Sequence, residues 1–293
     1  LSNGWRCAAS SLARGEEVAG TASIVRAFLL LAQPGPWGVD ALRDSRLPGS
    51  LGSRLEERCR QAGVRPLLIR PHGRPDQHAV RCFAAYAGAW LETTVLAGVE
   101  DVLSIDVEAL GRGVSPGLAR FDRPLFLVCT HGRHDACCAE LGRPLAAAMC
   151  AAHPQDTWEC SHIGGDRFAG NLMVLPDGVY YGRVDAASGP SIAAAHLRGE
   201  LDLQHLRGRT AFPFAVQAAE WHLRSRLDVR GVGDVSLDTY SARSEVTDAV
   251  FAVGGRRWLV RVRTSQAEPT QLTCKAARLR RAPRFELLGL EPL

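Results

Sequence analysis

Two short stretches of this chain concentrate the residues that hold metals or carry redox chemistry. One runs from Cys129 to Cys138 (CTHGRHDACC) and the other from Trp158 to Asn171 (WECSHIGGDRFAGN). Thiolates, imidazoles and carboxylates are metal ligands, and thiolates are also redox groups. The first stretch sits where an apolar run ends and a helical pattern begins. Cys138 falls at the start of that helix, where the dipole and free amides favour a thiolate. A loop that wraps two thiolates round a small space suits an iron–sulfur cluster, whose sulfurs accept hydrogen bonds that tune its potential. In the second stretch His162 and Asp166 flank Gly164 and Gly165, which permit close approach of the backbone. A carboxylate or imidazole at each end of that loop completes a four-coordinate set.

The cysteine distribution supports intracellular chemistry over a disulfide scaffold. Five of the nine cysteines lie within residues 129–160, whereas a secreted scaffold is short and spreads them along the chain. The first residues lack the apolar core of a secretory signal, and no run approaches the ~20 apolar residues of a membrane span. A cytoplasmic protein is expected. A net charge of +4 does not point to nucleic acid. The basic residues are arginines apart from Lys275, which with the abundant Ala and Gly suggests a GC-rich bacterial gene. Other chemistries find little support. Gly113 to Gly117 (GVSPG) matches a nucleophile elbow, but Pro116 has no N–H to offer an oxyanion. A Walker loop, a dinucleotide-binding glycine pattern and a glycosidase carboxylate pair are not found.

The elements that must position these loops read as two similar series. In the first, residues 1–20 form a lead-in and Ala27 to Gln33 a buried strand stopped by Pro34 to Gly38. A helix over 51–62 puts Leu51, Leu55 and Cys59 on one face. Strands follow over Arg65 to Arg70, His78 to Ala85 and Trp90 to Leu96, then a short helix over 106–112. In the second, Pro124 to Cys129 is a strand, Cys138 to Ala152 a helix and Thr157 to Cys160 a strand. A hairpin joins Leu172 to Leu175 and Val179 to Val184, and a helix runs from Ser191 to Arg198. A helix over Phe212 to Leu227 follows. Beyond it the alternation over Val246 to Val253 and Arg257 to Val262, with Gly254 and Gly255 at a turn, predicts a β-rich tail.

Strand, helix, strand, hairpin, helix is the order of a thioredoxin-like unit. The expected fold class is α/β, with two thioredoxin-like lobes over 1–120 and 121–225, the second ferredoxin-like and cluster-binding. A small β-rich region occupies 226–293.

The stretches Cys129 to Cys138, Ser161 to Ala169 (SHIGGDRFA) and Tyr181 to Val184 (YGRV) resemble the sucrase/ferredoxin-like family, whose members carry a thioredoxin-like ferredoxin domain. The resemblance implies a [2Fe–2S] cluster held by two cysteines and two histidines. The cysteine spacing falls on Cys129 and Cys138 and the first histidine on His162. Asp166 takes the place of the second histidine. Cys137, Cys160, His131 and His134 are the other candidates for that fourth position.

Two thiolates with neutral ligands raise a cluster's potential relative to an all-cysteine one, and an aspartate pulls it back down. Arg133 and Arg167 flank the loops and are suited to offset charge or dock an acidic partner. The expected role is one-electron transfer or redox sensing with an unidentified partner protein, with neither nucleic acid nor membrane involved. An electron carrier is expected rather than an enzyme. The alternatives are a zinc-binding structural domain on the same ligands and a metal-free thiol redox protein, against which the absence of a Cys-x-x-Cys motif counts. Cys59, Cys82 and Cys150 read as core, Cys137 as packing at a helix start, and Cys7 and Cys274 carry no assignment.

Overall fold

The computed structural model describes residues 4–73 and 80–293. A short helix, α1 (Cys7–Ala13), leads to strand β1 (Ala27–Ala32), the small helix α2 (Ala41–Asp44) and helix α3 (Leu51–Ala62). Strands β2 (Val64–Arg70), β3 (Val80–Tyr86) and β4 (Trp90–Leu96) follow, then helix α4 (Val107–Gly111) and the two-residue β5 (Ala119–Arg120). The second series is β6 (Leu125–Cys129), α5 (Ala136–Ala152), β7 (Thr157–Cys160), β8 (Leu172–Leu175), β9 (Val179–Tyr181), α6 (Ser188–Leu197) and β10 (Leu206–Arg209). Helix α7 (Phe214–Leu227) then precedes β11 (Val235–Arg243), β12 (Val246–Val253), β13 (Arg256–Gln266) and β14 (Pro283–Pro292).

Strands β1 to β10 form one mixed sheet in the order β10-β9-β8-β6-β7-β2-β1-β3-β4-β5. The pairing repeats. In the first half β1 lies parallel to β2 and antiparallel to β3, which is antiparallel to β4. In the second half β6 stands in the same relation to β7, β8 and β9. The halves meet edge to edge where β2 and β7 pair antiparallel, with Ile69 opposite Cys160 and Arg70 opposite Glu159. The two series of elements are therefore continuous through a single sheet.

Strands β1 (AFLLLA) and β6 (LFLVC) are apolar throughout because both faces of the sheet are covered. Their residues alternate between cores. Phe28 and Leu30 of β1 join Leu125, Leu127 and Cys129 of β6 in a core common to both halves. Ala27, Leu29 and Leu31 pack instead beneath α3 with Leu51, Leu55 and Cys59. Phe126 and Val128 pack with Leu145 and Met149 of α5. Cys129 thus points into the common core, at the end of a central strand.

The four C-terminal strands form a separate antiparallel meander in the order β11-β12-β13-β14. One face packs on α7, with Ala249, Phe251, Val260 and Val262 against Val216, Ala219 and Leu223. The β-rich tail expected from the alternation is therefore a second small sheet.

Some boundaries differ from the sequence reading. The 1–20 lead-in contains α1, which the cysteine and serine content obscures. Helix α5 starts two residues before Cys138, because Asp135 caps it. Strand β9 stops at Tyr181 rather than Val184, because the Gly182 amide turns to the His205 carbonyl. Helix α6 begins three residues early, where the Asp185 carboxylate accepts the amides of Ala187 and Ser188. Of the strand expected from His78 to Ala85, residues 78 and 79 lie outside the described residues.

Candidate metal centre

Each expected ligand is carried by an element that the local sequence explains. Cys129 ends the fully buried β6. Cys138 lies in the first turn of α5, whose cap is the Asp135 carboxylate accepting the Cys137 amide at 2.9 Å. Helix and strand approach so closely that a Cβ on Gly142 would run into the Cys129 carbonyl. The bare glycine lets the helix start bring its thiol to the strand end. His162 follows β7, and Asp166 opens a short 3-10 turn, Asp166–Phe168. Between them Gly165 holds a φ of +81°, and a Cβ there would run into the Arg207 guanidinium.

The ligand atoms of Cys129, Cys138 and His162 all lie within 4.8 Å of one another, and those of His134, His162 and Asp166 do so as well. Cys138 Sγ is 3.9 Å from His162 Nδ1 and 3.6 Å from Asp166 Oδ1. His162 Nδ1 and Asp166 Oδ1 are 3.0 Å apart. The His134 ring stacks on His162, with centroids 3.8 Å apart and planes 18° from parallel. The four residues singled out from the sequence therefore converge, and His134 joins them. Both thiols and Asp166 are buried, whereas the His162 side chain is 20% exposed.

The two thiols are shifted in opposite directions. The hydrogen bond from Cys138 holds the Cys129 thiol well below its ordinary range, against burial and with help from His162. Cys138, donating to Cys129 and buried, is pushed up. Burial pushes Asp166 up and His134 down. Removing groups from water disfavours their charged forms, so protons must leave when a cation binds here.

The other fourth-ligand candidates are engaged elsewhere. His131 Nε2 faces the Gly38 carbonyl at 2.9 Å and so carries the proton, leaving Nδ1 to accept the His162 amide at 3.3 Å. His131 thus ties the ligand loop to the Pro34–Gly38 turn, where Trp37 packs edge-on against it. Cys160 is enclosed in the common core beside Cys129, where burial pushes its thiol up. Cys137 turns toward Cys7 and Cys274. Ser115 of the GVSPG stretch donates to Glu92 at 2.6 Å, a loop contact.

Two supports went unread in the sequence. The buried Glu159 accepts from Thr130, next to Cys129, at 2.6 Å and from Arg70 at 2.7 Å, and His72 contacts it at 2.8 Å. Burial works against its ionisation, but these bonds hold Glu159 below the usual carboxylate range. Arg70 in turn lies over the Trp37 ring. On the other side the fully buried Arg207 donates to the Gly164 carbonyl at 2.9 Å, to Asn171 at 2.7 Å and to Thr21. It fixes the loop between His162 and Asp166. The alternation in β7 offers a signal for Glu159, a lone carboxylate between Trp158 and Cys160. Nothing local distinguishes Arg207 from the other arginines.

A family model described as Sucrase/ferredoxin-like matches residues 18–208, well over half of the chain. No significant match was found among curated proteins or among solved structures.

Proposed function

From the premise that the chain belongs to the sucrase/ferredoxin-like family, we propose that it is a redox protein with a [2Fe–2S] cluster held by Cys129, Cys138, His162 and a fourth donor, Asp166. The observation that carries this reading is the convergence of two thiols and an imidazole, from a strand end, a helix start and a separate loop, within 4.8 Å. The donors are also segregated. Sulfurs come from β6 and α5, and the imidazole and carboxylate from the loop after β7. Mixed-ligand clusters use such a division, with thiolates on one iron and other ligands on the second. When bound, the cluster supplies reversible one-electron chemistry. His134 is the alternative fourth donor, since it shares the convergence with His162 and Asp166.

The protein's own residues define how a partner reaches this centre. The thiols are buried while His162 is partly exposed, so electrons enter and leave through the imidazole edge. Arg133, exposed in the loop beside His134, suits an acidic partner protein, whereas Arg167 is mostly buried and already paired with Glu16 at 2.6 Å. We read each five-stranded half as thioredoxin-like, with boundaries near residues 120 and 225, and only the second half as carrying the cluster. The described residues contain no helix long and apolar enough to cross a membrane.

The test is reversible reduction. Anaerobically purified protein should show visible charge-transfer absorption that bleaches on addition of one electron per chain and returns on oxidation, with an EPR signal in the reduced form. A colourless protein that takes up no electrons would refute the proposal and favour zinc on the same donors.

A further inference from the structure

A second thiol cluster lies on the other side of the same helix start. Cys7 Sγ is 3.6 Å from Cys137 Sγ, Cys137 Sγ is 3.4 Å from Cys274 Sγ, and Cys274 Sγ is 3.5 Å from Cys7 Sγ. The three come from α1, α5 and the loop between β13 and β14, so Cys7 and Cys274 are 267 positions apart. Asp135 completes the group, its two carboxylate oxygens 3.7 and 3.8 Å from Cys7 Sγ. Cys7, Asp135 and Cys137 are buried and Cys274 is partly so.

The geometry points to a second metal site: a single zinc-type divalent cation bound by Cys7, Cys137 and Cys274, with Asp135 as fourth ligand. A disulfide brings two sulfurs to about 2.0 Å and leaves a third thiol unused. Three nearly equal separations instead call for one centre equidistant from all three. Tetrahedral zinc with bonds of about 2.3 Å spaces its sulfurs by roughly 3.8 Å, close to the observed triangle. A cluster with one thiolate on each iron would spread the sulfurs farther. The second shell is in place as well. The Cys7 amide donates to Cys274 Sγ at 3.5 Å, and Asp135 accepts the Cys274 amide at 2.7 Å and the Cys137 amide at 2.9 Å.

The site acts as a clamp. It fastens an N-terminal helix and a C-terminal loop to the helix start whose next residue, Cys138, faces the primary centre. Helix α1 is further seated by Arg6 on Glu140 of α5 at 2.5 Å. Cys7 and Cys274 both lie outside the matched residues 18–208, so the clamp belongs to this chain's additions to the family segment. It does not depend on what the primary centre holds.

The test measures zinc, iron and sulfide in the full-length protein and in Cys7→Ser and Cys274→Ser. About one zinc per chain is expected in the wild type, falling at least tenfold in both variants while iron and sulfide stay unchanged. Zinc absorption spectroscopy on the wild type needs no variant and should find three sulfurs at about 2.3 Å with one lighter atom. Absence of zinc from the wild type, retention of zinc in both variants, a shell with two or fewer sulfurs, or a Cys7–Cys137 disulfide by mass spectrometry would each overturn the proposal.

Discussion

Replacing Arg207 with alanine should open the loop between His162 and Asp166. The guanidinium is fully buried, and its partners are the Gly164 carbonyl, Asn171 Oδ1 and the carbonyl and hydroxyl of Thr21. Among the described residues no carboxylate bonds to it, and burial lowers its pKa to about 10. Its hydrogen bonds offset the cost of burying the charge, and deletion leaves those acceptors without a donor. Each buried group left unsatisfied costs about 1–3 kcal/mol, so the acceptors on Gly164, Asn171 and Thr21 together put the loss on the order of 3–5 kcal/mol once water reaches part of the vacated space. At about 2–4 °C per kcal/mol, thermal unfolding should drop by roughly 6–20 °C. Arg207→Lys keeps the charge but not the fork, and should fall between. Differential scanning calorimetry gives the stability, and iron content per folded chain gives the effect on the site. Because Gly164 lies within the ligand loop, the alanine variant should also hold less iron. A variant that melts within about 1 °C of the wild type and retains full iron would refute the assignment of Arg207 as the loop's anchor.

Cys129→Ser and Cys138→Ser should each abolish cluster uptake, read as loss of iron and visible absorption from folded protein. Asp166→Ala and His134→Ala separate the two fourth-donor candidates: the ligand's variant shifts the EPR spectrum and potential, and the other leaves both in place. An unchanged spectrum in Asp166→Ala would remove that residue from the ligand set. Glu159 ionises below its ordinary value of 4.5, so its contribution is complete above that pH and is lost as pH falls through the lower folded value. Glu159→Gln should therefore cost about 1 kcal/mol at pH 7, since the paired Arg70 side chain is 24% exposed, and the gap should close on acidification toward pH 3. Urea denaturation across that range checks it, and a gap that widens on acidification would contradict the sign.

What was legible in the sequence follows the range of the interactions. Helix α3 has the predicted bounds, Leu51–Ala62, because its apolar spacing is local. Strands β4, β7 and β8 likewise match, each an apolar or β-branched run ended by turn residues. Strand β10, with the sequence LRGR, carries no such pattern and depends on pairing with β9. Spacing and family likeness named Cys129, Cys138, His162 and Asp166 as candidates, which the fold brings near one another, but gave no sign of the stacking of His134 on His162. The Cys7, Cys137 and Cys274 triangle unites residues more than a hundred positions apart, beyond any local signal. One clue was present: consecutive residues on a helix point about 100° apart, so Cys137 and Cys138 cannot both face one centre. Cys137 does pack at the helix start, with Cys7, Ala8 and Ala169, and its contact with Cys274 is what the packing reading did not contain.

Iron and acid-labile sulfide, counted per chain in anaerobically purified wild type and in Cys138→Ser, test the cluster assignment most directly. The account predicts about two of each in the wild type and neither in the variant. Wild-type protein that is folded yet contains zinc in place of iron, or no sulfide, would contradict it.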